Sequence, residues 1–216
     1  MFSATTIVQT ISISSSLLAS GGIATLSLFN VPELRSQPAS RALPSIRWLF
    51  SRGSHLFPEA AALSTAGFIY LGYESLAPGQ SALQLLRVVS NSRTINGYLA
   101  AAVLNISIGP FTSFVMLPTN FALMRMNVEK GGARSEKSKV EGSGSGERSA
   151  RESVNGDGEA AEFTDLSGPQ EKTQKESSAT DDEKMRSLLD KFSALNWIRA
   201  GLVGGGGILG LLIALS

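Results

Sequence analysis

The sequence contains no cysteine and a single histidine, His55. The first absence excludes disulfides, zinc–thiolate sites, iron–sulfur clusters and a cysteine nucleophile. The second argues against a metal centre, because the only acids outside one polar stretch are Glu33, Glu59 and Glu74. A strong net charge is also missing. Nineteen Lys and Arg stand against 18 Asp and Glu, leaving +1, which gives no reason to expect nucleic acid or an anionic partner. The averages of 43% hydrophobic and 17% charged residues conceal segregation, since most of the charge falls between Pro118 and Asn196. The rest is poor in charge and rich in Ala, Leu, Ile, Gly and Ser, which is membrane composition.

Four segments are long and apolar enough to cross a bilayer core of roughly 20 helical residues. The first spans about 7–29 within a charge-free N-terminal stretch. A cleaved leader would share that composition, but no basic residue precedes the apolar segment. Ser12, Ser16, Ser20 and Ala24, at every fourth position, instead form a small-residue seam suited to helix packing in lipid. Residues 33–54 mix Pro38 and Pro44 with Arg35, Arg41, Arg47 and Arg52, and are expected to form an interfacial loop with Trp48 at headgroup level. Helix two is expected over about 56–76, with Pro58 and Glu59 in its first turn.

Pro78, Gly79, Arg87 and Arg93 mark a short second loop, and helix three follows over about 96–117. There Tyr98, Asn105, Thr112 and Thr119 recur every seventh residue near one face. Gly109-Pro110 interrupts the hydrogen-bond ladder, leaving the Ile106 carbonyl without its usual donor. Residues 126–187 are Ser, Gly, Glu, Lys and Asp with few apolar residues, including Gly142-Ser-Gly-Ser-Gly146. Such a stretch buries too little surface to offset its ordering entropy. Residues 188–216 form an amphipathic approach and helix four, about 197–215, with Gly201, Gly205, Gly206 and Gly210 as small-residue pairs. The expected fold is all-α: a four-helix transmembrane bundle with a long disordered loop between helices three and four, after a first block of three helices over residues 1–125. Basic residues near the helix ends place loops one and three in the cytosol and both termini in the lumen. The sequon Asn105-Ile-Ser107 is discounted because it lies mid-helix.

Polar residues in or near lipid are the candidates for chemistry. Arg87, Arg93 and Arg125 read most simply as snorkelling anchors, and Trp48 and Trp197 as belt residues. In Leu117-Pro-Thr-Asn120 the Asn120 amide either caps the bundle or hydrogen-bonds a ligand. Asn196 and Arg199 share one helical face, and an arginine just inside a membrane boundary pairs by default with a ligand anion or lipid phosphate. His55 is either a proton acceptor near neutral pH or a hydrogen-bonded interfacial residue. By the topology above, these groups lie at one cytosolic end.

An ordered set of short motifs resembles the fungal anthrone oxygenase family of small multi-pass proteins. The set is Gly21-Gly22-Ile-Ala-Thr-Leu-Ser27, Val31-Pro-Glu-Leu34, Trp48 with Gly53, Tyr98-Leu-Ala-Ala101, Gly109-Pro-Phe-Thr112, Met116-Leu-Pro-Thr-Asn120, Leu188-Leu189 and Leu195-Asn-Trp-Ile-Arg199. The resemblance covers all four helices and skips the polar loop, which is longer and more acidic than the family leads one to expect. It implies oxidation of a polyketide anthrone to an anthraquinone by dioxygen, in fungal secondary metabolism and with no metal or flavin cofactor. The lack of a transit-like basic N-terminus separately favours an endomembrane, such as the endoplasmic reticulum, over mitochondria. His55 would then serve as base, Arg199, Asn196 and Asn120 as oxyanion donors, and Trp48 as a stacking surface. Tyr98, Asn105 and Thr112 would line the substrate. The expected partners are the bilayer and a small aromatic polyketide. An accessory protein that only holds a lipophilic intermediate, a packing subunit of a larger complex, and a carrier or channel stand as alternatives; the near absence of intramembrane charge speaks against the last.

Overall fold

The structure, a computed structural model, describes residues 3–77, 79–81, 92–140 and 165–216. The readings made on Pro78, Arg87 and Gly142 to Gly146 therefore lie outside the described residues. Within them all regular structure is helical. The first rod is α1 (Ala4–Thr25), a π-helical turn (Leu26–Asn30) and α2 (Val31–Arg35). The second is α3 (Ala39–Glu74). The third runs through α4 (Arg93–Ile106), α5 (Ile108–Phe111), a second π-helical turn (Thr112–Met116) and α6 (Leu117–Glu129). After the short α7 (Glu136–Val140) comes the fourth, α8 (Ala179–Ala214). Ala4–Arg35, Arg93–Glu129 and Ala179–Ala214 are each long and apolar enough to span a membrane, and the chain is an integral membrane protein. The fourth long helix, α3, is not among them; Arg41, Arg47, Arg52 and Glu59 interrupt its apolar content.

Prolines account for the irregular turns. Each π turn is followed directly by an α segment with proline at its second residue, Pro32 in α2 and Pro118 in α6. A proline inside a helix removes one bond and crowds the carbonyl four residues back, and a widened turn relieves that crowding. At Gly109-Pro110 the ladder does break: α4 ends at Ile106, and the Phe111 N–H bonds the Ser107 carbonyl at 3.1 Å.

The expected loop over 33–54 is instead mostly helix. Pro38 lies just outside α3, where the Ala39 N–H donates to the Asp182 carboxylate at 2.7 Å, an acceptor at a helix start. Pro44 sits in the second turn and deprives the Ser40 carbonyl of its intrahelical donor; the Thr173 N–H supplies one at 2.8 Å. Pro58 consequently falls in mid-helix and not in a first turn. The polar stretch also differs from expectation at its ends. Residues 130–140 and 165–178 are tied down, with Glu136 N–H on the Gly168 carbonyl (3.0 Å), Lys175 N–H on the Lys130 carbonyl (3.0 Å) and Lys130 on Asp181 (2.7 Å). The last helix starts at Ala179, well before residue 188.

The chain divides into two compact units: Met1–Ala24 with Phe57–Thr112 and Trp197–Ser216, and Thr25–Leu56 with Ser113–Asn196. The core of the first gathers Ile13, Phe68, Leu71, Tyr98, Ala101, Ala102 and Ile213. Here the small-residue seam of α1 meets α8: Ser16 donates to the Val203 carbonyl (2.7 Å) and Ser20 to the Ala200 carbonyl (2.8 Å). On α8 the tight positions are Gly204, Gly206, Gly207 and Gly210, where an added Cβ would run into Ser20, Asn105, Leu17 and Phe68 respectively. Gly201 faces open space, so the packed glycines of α8 do not include the Gly201 face. The core of the second unit gathers Leu43 and Ile46 of α3, Met116 and Leu123 of the third rod, and Met185, Leu189 and Phe192 of α8. Phe50 closes on Phe192 with ring centres 5.2 Å apart.

Candidate functional site

The residues singled out from sequence divide between the two units. His55, Trp48, Asn120 and Asn196 belong to the second; Arg199, Tyr98, Asn105 and Thr112 belong to the first.

In the first unit, two of them are committed to packing. Asn105 has no exposed surface; its Oδ1 accepts from Ser16 at 2.9 Å and its Nδ2 donates to the Ala101 carbonyl at 3.0 Å. In lipid an interhelical bond of this kind contributes about 0.6–2 kcal/mol. The Tyr98 hydroxyl accepts from Gln9 Nε2 at 2.9 Å, and its ring stacks on Phe68 at 6.3 Å. Thr112 is half-buried at the start of the second π turn. Arg199 is only 7% exposed. Its guanidinium lies 6.0 Å from the centre of the Phe57 ring, a cation–π arrangement that helps a buried cation. Phe57, two residues past His55, was not singled out because an aromatic at a helix's apolar face looks like any core residue.

In the second unit, Trp48 is engaged by the polar strap of residues 165–178. Its Nε1–H donates to the Ser167 carbonyl at 3.0 Å, and Arg52 stacks over its ring at 5.2 Å while also donating to the Asp165 carbonyl. Asp165 itself is buried. Burial alone would raise its carboxyl, but the Ser135 and Ser167 hydroxyls, the Ser167 N–H and the Arg134 charge outweigh it and hold the group down at about 2.

His55 is half-buried near the middle of α3. Asn120 and Asn196 sit on the helix faces that build the core of this unit. Met116, Thr119, Asn120 and Leu123 follow the i, i+3, i+4, i+7 pattern of one stripe on the third rod, and Leu189, Phe192 and Asn196 follow i, i+3, i+7 on α8. The apolar members of both stripes pack in one cluster, and Asn196 is fully buried. Thr119, 2% exposed, belongs to the sequence motif Met116-Leu-Pro-Thr-Asn120 and to the series spaced by seven from Tyr98, but carries no assigned role there. Its Oγ1 and the Asn120 Oδ1 are buried atoms with no hydrogen-bond partner among the described residues. A buried polar atom left so costs about 1–3 kcal/mol, and native structures hold few of them.

Chemically, the second unit thus offers a titratable imidazole, an indole edge and a run of amide and hydroxyl groups set into an apolar core. Among the described residues no three His, Cys, Asp or Glu side chains gather closely enough to hold a metal ion. This suits a proton transfer and the hydrogen bonding of an apolar ligand's polar end.

No curated protein and no solved structure matches the chain. A family profile described as anthrone oxygenase matches residues 47–209, from Arg47 in α3 to Leu209 in α8. The match takes in well over half of the sequence, including every residue singled out above, and on that ground the chain belongs to the anthrone oxygenase family.

Proposed function

We propose that this membrane oxygenase converts a polyketide anthrone to the corresponding anthraquinone with dioxygen as its only co-substrate, in secondary metabolism. Family membership over residues 47–209 carries the reading, and the polar groups set in an apolar core support it. An anthrone is a fused-ring ketone whose methylene lies opposite its carbonyl. Loss of one methylene proton gives an aromatic, delocalised anion, with charge gathered on the carbonyl oxygen. This anion passes an electron to dioxygen and the two radicals combine, forming a C–O bond. Protonation then yields a hydroperoxide. Removal of the second proton from the same carbon expels hydroxide as the O–O bond breaks, leaving a new carbonyl and, after protonation, one water. One oxygen atom enters the product and the other leaves as water, so the four electrons taken from the methylene carbon all reach dioxygen.

The proposed roles follow from the chemistry of the side chains. His55 takes the first proton and returns it to the peroxide. The Asn120 and Asn196 amides hydrogen-bond the polar end of the substrate, and Trp48 offers an aromatic edge. Arg199, in the other unit, is proposed on its charge as an anion partner in its own right. Tyr98, Asn105 and Thr112, also in that unit, are proposed on their side-chain chemistry as substrate contacts in their own right. The orientation proposed from the distribution of basic residues puts the first and third loops in the cytosol of an endomembrane.

The test measures loss of unsubstituted anthrone in membranes with and without the protein, under air and under nitrogen. Protein-dependent loss under air, unaffected by chelators and severely reduced in His55→Ala, is expected. Equal loss in empty membranes would reduce the protein to a carrier of the intermediate. Retention of full activity by both His55→Ala and Arg199→Ala would show that the assigned groups are the wrong ones.

A further inference from the structure

Several helical hydroxyls in this protein find partners in one of two ways. Thr10, Ser12, Ser64 and Thr65 each donate to the carbonyl four residues back, at 2.7–2.9 Å. Ser16, Ser20 and Ser27 reach across to α8. Thr119 departs from both habits: it is almost completely buried, and its Oγ1 has no partner among the described residues. The local cause is the backbone. Its carbonyl four residues back belongs to Val115, inside the π turn Thr112–Met116, where the wider winding displaces carbonyls from the usual α register. Pro118 then fixes the restart of the α-helix at that point. The next residue, Asn120, also keeps its Oδ1 buried and unpartnered. Both lie between Met116 and Leu123, two fully buried core residues, so these groups face protein interior and not lipid.

A buried hydroxyl left unbonded is a structural cost with no structural return, as is often found where a helix is shaped for a ligand. We propose that the Thr119 hydroxyl is a substrate-binding donor that bonds the carbonyl oxygen of the anthrone, with the neighbouring Asn120 Oδ1 free to accept a hydroxyl hydrogen of the same molecule. The assignment of the ligand rests on the function proposed above. The carbonyl oxygen is where charge gathers as the methylene proton departs, so a donor there is strengthened in the transition state and makes the methylene more acidic.

Two variants separate this role from a packing role. Thr119→Val keeps the shape and removes only a hydroxyl that bonds none of the described residues. It is expected to melt at the same temperature as the wild type or higher, with kcat/KM for anthrone lower by about a hundredfold and the alkaline rise of kcat displaced to higher pH. Thr119→Ser, which keeps the donor, is expected to restore most of the activity and the original pH profile. Full activity in Thr119→Val, or inactivity of Thr119→Ser together with a lowered melting temperature in both Thr119 variants, would overturn the proposal. Should the wild type fail to speed anthrone loss at all, the reaction assigned to the protein falls, and the site is decided by binding of anthrone under nitrogen. Binding by wild type and Thr119→Ser but not Thr119→Val upholds the donor; equal binding by all three removes it.

Discussion

Asp165 keeps a negative charge in a buried place because the Ser135 and Ser167 hydroxyls, the Ser167 N–H and the Arg134 guanidinium all favour its ionised form. The consequence is pH dependence of a definite sign. The carboxyl titrates at about 2 in the folded protein against an ordinary 3.8. Stability from this group is therefore complete above pH 4 or so and is lost as the pH falls toward 2. Trp48 reports on it, because its N–H bonds the Ser167 carbonyl two residues away. In a Trp197→Phe background, Trp48 fluorescence in detergent is expected to change between pH 4 and 2. Asp165→Asn is expected to loosen the strap at neutral pH and to abolish that acid transition. An unchanged transition in Asp165→Asn would assign it to another group.

At the scale of elements, the seam between α1 and α8 was legible in the sequence, but its register was not. Serines every fourth residue announced a close-packed face, and Ser16 and Ser20 indeed donate to α8 carbonyls. Six glycines between Gly201 and Gly210 of α8 are ambiguous by composition, since each helix face receives at least one. Contact decides it: a Cβ at Gly206 would lie 2.9 Å from the Ala101 carbonyl oxygen and also collide with the Asn105 amide, whereas one at Gly201 meets nothing within 4 Å. Gly206→Ala is accordingly expected to destabilise by about 1–3 kcal/mol through overpacking. Gly201→Ala should be neutral or slightly stabilising, as a helix former replacing glycine. Thermal melts of the two variants in one detergent check both, and equal losses would place the seam elsewhere. The helix in place of the first loop was illegible for a different reason. Pro38 and Pro44 are honest local breakers, and the Ser40 carbonyl that Pro44 orphans is answered by the Thr173 N–H, far away in sequence.

Over the whole molecule the same long-range pairing explains what a single sequence conceals. Membrane helices declare themselves by composition, and the polar residues in them declare a site of some kind. Which of those residues are spent on packing depends on partners in other helices: Asn105 is occupied by Ser16, whereas the Thr119 hydroxyl, at the same spacing from its neighbours, has no partner among the described residues. The polar stretch divides in the same way. Its composition says disorder, yet its two flanks are joined to each other by Glu136 N–H on the Gly168 carbonyl, Lys137 N–H on the Ser167 hydroxyl at 3.2 Å, and Ser135 on Asp165. These bonds hold residues 135–137 beside residues 165–168, and loop closure between two such anchored flanks depends only weakly on the length between. Replacing residues 141–164 by about eight Gly and Ser residues, a flexible length that bridges so short a gap, is expected to leave the melting temperature and the anthrone-oxidising rate near those of the full chain. Removing the flanks as well, residues 130–178, takes away the Thr173 bond to Ser40, the Lys130–Asp181 pair and the cover over Trp48. That variant should melt lower and show freer Trp48 fluorescence. If the shorter deletion already had these effects, segment 141–164 would be part of the folded unit rather than an insertion carried by it.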